Sequence, residues 1–152
     1  MTANTVNLVL PHVPTPLDGV MRFYEGVFTA SADESPAHKA AIKELIEQSF
    51  TSGYTYNGQP MSPDSLFAWR ESLLQRFSEM VFAVHDALSG PVSVGGTTPT
   101  SGVAMRWLVD ALDTAGVHWQ LQGMSLLSVV GGQAASNVQL GDATNGWYKV
   151  AD

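Results

Sequence analysis

Apolar positions recur at helical spacing three times in the first half of the chain and at alternate positions in the second half. Leu17, Val20, Met21, Tyr24 and Phe28 fall on one face of a helix. So do Ala41, Ile42, Leu45, Ile46 and Phe50, and then Leu66, Phe67, Arg70, Leu73, Leu74 and Phe77. Each stripe follows a hydroxyl residue and a proline: Thr15-Pro16, Ser35-Pro36 and Ser62-Pro63. A Ser or Thr side chain caps the free N–H groups of a first turn, and proline tolerates the position after it because no donor is lost there. Asp18 stands where a capping box wants an acid. The pattern predicts helices over 16–29, 36–51 and 63–78.

The second half predicts strands near 80–89, 102–111, 116–130 and 133–142. Along the first of these, Asp86 shares a face with Phe82, Val84 and Leu88, and His85 with Val81, Ala83 and Ala87. Gly131-Gly132 between two alternating runs signals a tight hairpin, since both turn positions accept positive φ. Gly123 reads as a bulge that bends the longest strand. The glycine- and proline-rich segment 90–102 is either an exposed hairpin or a flap. In the last run Ala134, Val138, Leu140 and Asp142 form one row, and Gln133, Asn137 and Gln139 the other. A carboxylate at the end of an apolar row is costly to ionise unless paired, wet or functional. Helices followed by an antiparallel meander, with no parallel βαβ crossover, predict an α+β fold.

Composition narrows the function classes. A length of 152 residues fits a single domain over 1–152 with a sizeable core. A net charge of −7 argues against nucleic-acid and anionic-membrane partners. Without cysteine, thiol chemistry and cysteine-held metals are excluded, and the histidines show no metal-ligand spacing. No secretory leader or membrane span is expected, which points to a cytoplasmic protein.

The order of helices, then FTSGYTYNGQPMSPDSL, VAMRW and GMSLLSVVGGQAASNVQLGD resembles the nuclear transport factor 2 superfamily, most closely its SnoaL-like polyketide-cyclase branch. Val103, Ala104, Met105, Arg106 and Trp107 match that branch's Val-Ala-Val-Arg-Trp strand, and Gly132 and Asp142 match its final hairpin. The resemblance implies a cone-shaped barrel, three helices and a strongly curved sheet around one apolar pocket, usually in a homodimer. Ser125 stands where the cyclase branch often carries a histidine. Ketosteroid isomerases use a helical tyrosine and two acids. The aligned positions here hold Phe23 or Tyr24, Tyr56 or Asn57, and Met124 or Ser125, so both acids are missing.

Candidate chemistry follows from residue types and from the resemblance together. Asp142, Arg106 and His118 are the catalytic candidates: a proton shuttle, an oxyanion partner and a second acid/base group. Each has a plainer reading: a solvated strand-end carboxylate, an outward charge paired with Asp110, and a hydrogen-bonded strand histidine. Tyr24, Tyr54, Tyr56, Asn57, Trp69 and Ser125 are the candidate substrate-binding residues, although Tyr54, Tyr56 and Asn57 read equally as a turn with core aromatics. The expected function is cofactor-free cyclisation, isomerisation or dehydration (an isomerase or lyase) of an apolar, polycyclic or polyketide-like molecule. The alternative is a non-catalytic ligand-binding or dimerisation module.

Overall fold

The structure, a computed structural model, describes residues 16–93, 100–141 and 145–151. The predicted helices are present as α1 (Pro16–Phe28), α2 (Pro36–Ser49) and α3 (Pro63–Arg76). Two of the three caps are visible: Ser35 Oγ accepts from the His38 amide and Ser62 Oγ from the Ser65 amide, both at 3.1 Å. Thr15, the third expected cap, lies outside the described residues. Helices α2 and α3 end on Phe50 and Phe77, which are already extended, so each runs into a strand without a loop. The helical stripe assigned to Phe50 therefore stops one residue early.

Eight strands form one sheet: β1 (Ala30–Ser31), β2 (Phe50–Tyr56), β3 (Gln59–Pro60), β4 (Phe77–Val92), β5 (Thr100–Asp113), β6 (His118–Val130), β7 (Gln133–Leu140) and β8 (Tyr148–Lys149). Their order is β1-β4-β5-β6-β7-β2-β3, with β8 paired to β6. Strands β4 to β7 are the predicted meander, and Gly131-Gly132 closes its last hairpin with φ of 57° and 80°. One pairing departs from the antiparallel expectation. β2 runs parallel to β7, and the chain between them passes through α3 and four strands rather than a single crossover helix. The arms of segment 90–102 pair from Gly90–Gly102 to Val92–Thr100, a hairpin whose tip lies outside the described residues.

The sheet's curvature comes from bulges that the alternation did not reveal. Extra residues at Ser78 and His85 in β4 and at Ala135 in β7 shift the register, and each reverses which face the following side chains occupy. Beyond His85, Asp86 turns outward opposite Arg106, away from the face of Phe82 and Val84. Beyond Ala135, Asn137 turns inward while Val138 and Leu140 face out. The row that the sequence placed with Ala134 is thus split. Gly123 is no bulge. β6 keeps register with β5 through it, and a Cβ there would lie 2.5 Å from Trp107 Cζ2 and 2.4 Å from the Leu140 carbonyl. Glycine is needed because the Trp107 ring lies across the strand.

The helices cover the concave face. Phe23, Tyr24, Val27 and Phe28 of α1 and Ile42 and Ile46 of α2 pack into one core with Phe82, Trp107 and Leu127 of the sheet. The short strand β1 leaves the rest of the β4 edge to α1 and the residue after it: the Thr29 hydroxyl and the Glu25 carboxylate accept from the Phe82 and Val84 amides. Among the described residues no helix is long and apolar enough to cross a membrane.

Candidate active site

The concave face of the sheet, α1 and α3 form a cavity of about 470 Å³. Its walls are mainly apolar: Phe28 of α1, Leu66, Trp69 and Leu73 of α3, and Met80, Phe82, Trp107 and Leu121 of the sheet. The Phe82 and Trp107 rings stack 5.4 Å apart, which makes one wall flat. Trp147, whose ring centre lies 4.5 Å from that of Phe77, contributes to the lining after the main sheet has ended.

Polar groups gather at the end formed by α1, β2 and β7. Tyr24 reaches this end from α1, Tyr54 from β2 and Asn137 from β7, and all three are buried. Asn137 Nδ2 donates to the Tyr24 hydroxyl at 3.2 Å, and the two tyrosines are hydrogen-bonded to each other. Burial, followed by the adjoining Tyr54, pushes the Tyr24 phenol well above its ordinary value. Burial likewise pushes Tyr54 up to about 12, against the opposing effect of its hydrogen bonds with Tyr24 and Asn137. Both phenols are therefore neutral at physiological pH. Such groups donate hydrogen bonds to a carbonyl or enolate, but they do not act as bases.

A turn holds the rim beside this cluster. Asn57 and Gly58 take φ of 48° and 77° and close the β2–β3 hairpin. Asn57 N donates to the Asn137 carbonyl at 2.8 Å, and its Oδ1 accepts from the Gln139 amide at 2.7 Å. These two bonds lock the hairpin onto β7. Gln139 and Gly141 then line the cavity beside Asn57.

Of the candidate binding residues, Tyr24, Tyr54, Tyr56, Asn57 and Trp69 all line this cavity. Ser125 is buried next to Trp107 and accepts from its indole N–H at 2.9 Å, so it orients one wall and is not itself part of the lining. Arg106 and His118 are not brought to the cavity. Even-numbered β5 positions face away from the helices, and Arg106 is 59% exposed, held by Asp86 at 2.6 Å. The bulge at His85 is what delivers Asp86 to that position, and Asp110, the partner expected from sequence, bonds His118 and Gln120 instead. His118 thus belongs to a polar network on the convex face. Asp142 lies outside the described residues. Asn137, Gln139 and Trp107 line the cavity without having been singled out for it. The available signal was the period-two polar row Asn137, Gln139, which faces an internal cavity here and not solvent.

No family model and no curated protein matches the chain. Solved structures do. An NTF2-like protein of unknown function from an Exiguobacterium species is 15% identical, with a TM-score of 0.56 over 85% of this chain and 99% of its own. A SnoaL-like polyketide cyclase from Agrobacterium tumefaciens is 11% identical, with a TM-score of 0.60 over 87% of this chain and 94% of its own. At such identities the likeness is one of architecture. Three helices on an open, curved, mostly antiparallel sheet give this chain the NTF2-like α+β fold, the fold of the SnoaL-like polyketide cyclases.

Proposed function

We propose that the chain binds an apolar, oxygen-bearing polycyclic or polyketide-like molecule and carries out cofactor-free acid/base chemistry on it: a cyclisation, isomerisation or dehydration. The observation that carries this reading is the cavity itself. Its size suits a small organic ligand, its walls are aromatic and aliphatic, and two neutral phenols and a carboxamide converge at one end. Such a cluster stabilises negative charge developing on a carbonyl oxygen without supplying a proton acceptor. The proton acceptor in this proposal is Asp142. A ligand-binding module that does no chemistry is the second reading, because binding needs only the cavity and the neutral cluster.

Calorimetric titration with a tricyclic aromatic ketone tests the binding step. Binding to the wild type is expected. Leu73→Trp, which fills the cavity from α3, should weaken it by about tenfold or more. Equal affinity in the two proteins would remove the cavity from the reading.

We also propose a homodimer that pairs the convex sheet faces. Leu88, Met124 and Leu140 on that face are 75%, 52% and 69% exposed, and Met124 and Leu140 are direct cross-strand neighbours. Exposed apolar side chains grouped in this way call for cover. Light scattering should give twice the 16.2 kDa chain mass. A single-chain mass across a wide concentration range would refute the pairing.

A further inference from the structure

The polar end of the cavity has a hydrogen-bond direction. Asn137 is 2% exposed; its Nδ2 is spent on the Tyr24 hydroxyl, while its Oδ1, equally buried, has no partner among the described residues. The Tyr54 phenol, also buried, lines the cavity beside this pair. A phenol carries one O–H donor besides its acceptor lone pairs, so Tyr54 can offer a proton to a group in the cavity it lines. A buried carbonyl without a donor is costly, and most native structures avoid it. The cluster therefore faces the ligand with one donor, Tyr54 O–H, and one acceptor, Asn137 Oδ1.

We propose that this end of the cavity is specific for a hydroxyl-bearing edge, a phenol or an enol, whose O–H donates to Asn137 Oδ1 while its oxygen accepts from Tyr54. The inference rests on the reading that the cavity binds an apolar molecule, and it names the group that molecule leads with. A ketone or ether accepts from Tyr54 but leaves Asn137 Oδ1 unpaired, and an ammonium satisfies only the acceptor. A hydroxyl on an unsaturated ring satisfies both and keeps the rest of the ligand flat against Trp107 and Phe82.

Three probes of one ring system separate the possibilities: naphthalene, 2-methoxynaphthalene and 2-naphthol. The wild-type protein should bind 2-naphthol about tenfold or more tightly than 2-methoxynaphthalene, because a site built to pair a hydroxyl rejects the analogue lacking its proton. Asn137→Leu, close in shape and without polar atoms, should close that gap. Tyr54→Phe keeps the ring and tests the donor separately: affinity for 2-methoxynaphthalene should fall to the naphthalene level. Should Asn137→Leu fail to fold, Tyr54→Phe and the wild-type ratio still decide. Naphthalene binding with no preference for 2-naphthol over its methyl ether would overturn this inference alone. Failure of all three probes to bind would overturn the small-molecule reading and this inference with it.

Discussion

Replacing Arg70 with methionine is expected to lower stability by about 3–5 kcal/mol, the cost of leaving a buried charge without its partner. For a domain of this size that corresponds to a melting temperature lower by roughly 6–20 °C. The Arg70 side chain has no exposed surface. Its Nε donates to the Val27 carbonyl at 2.6 Å at the end of α1, its Nη2 to Glu34 Oε1 at 2.7 Å, and its Nη1 to Glu71 Oε1 at 3.2 Å. One guanidinium thus joins α1, the segment before α2, and α3. The Glu34 side chain is only 7% exposed, so Arg70→Met strands a carboxylate in the interior. The double variant Arg70→Met with Glu34→Met should recover much of the loss, since a buried pair replaced by packed apolar groups is often neutral.

Acid should change the size of this deficit. Burial alone would raise the Glu34 pKa, but the Arg70 hydrogen bond and charge, helped by the Ser31 amide, outweigh it and hold the carboxyl below its ordinary value. A folded pKa below the unfolded one adds stability that is present above the unfolded value, near 4.5, and is lost as pH falls through the folded value. In Arg70→Met the Ser31 amide and His38 remain, but the larger Arg70 contributions that offset burial are gone, so protonation of Glu34 relieves the penalty. Thermal melts near neutral pH and near pH 4 should show the gap between wild type and variant narrowing in acid; an equal gap at both would remove Glu34 from the explanation.

Arg70 also marks where sequence reading was strong and where it stopped. Its place in the α3 stripe was legible at helical spacing, and the starts of α2 and α3 followed from local rules: a hydroxyl cap, a proline and an apolar period. The Gly131-Gly132 hairpin was local in the same sense. Side-chain direction in the strands was not. Residues Ser78, His85 and Ala135 carry no mark that makes them bulges, because a bulge is set by how two strands pair across the sheet. Each reversed the faces beyond it. This is why Arg106 met Asp86 on the convex side and why Asn137 entered the cavity against its assignment. Strand β2 was missed because its partner β7 lies some eighty residues away, and FTSGYTY lacks the alternation of the meander strands. The tyrosines of the candidate site were named for the right region; their shared cluster with Asn137 depended on that long-range parallel pairing.

The same reversal bears on Asp142. The apolar row Val138 and Leu140 faces outward, so a shared strand face is no reason to place Asp142 in the cavity. Gly141, the residue before it, lines the cavity with φ of 129°, a backbone state that ends the strand's alternation at Leu140. The proposed chemistry removes a proton from carbon, and Tyr24 and Tyr54 are held neutral by burial, so the group that takes the proton must be ionised near neutral pH. Asp142 is the one acidic side chain in the candidate set, and the proposal gives it that role. On the proposed function, Asp142→Asn is nearly isosteric but unable to exchange a proton. It is expected to leave the melting temperature and the affinity for the tricyclic ketone unchanged while lowering turnover by about 10²–10⁴-fold. Tyr54→Phe, which removes a hydrogen-bond donor and no base, should cost turnover without abolishing its pH dependence. Unchanged turnover in Asp142→Asn would take the proton transfer away from this residue, and a wild-type protein that binds polycyclic ketones and enols but converts none of them would establish the binding-module reading instead.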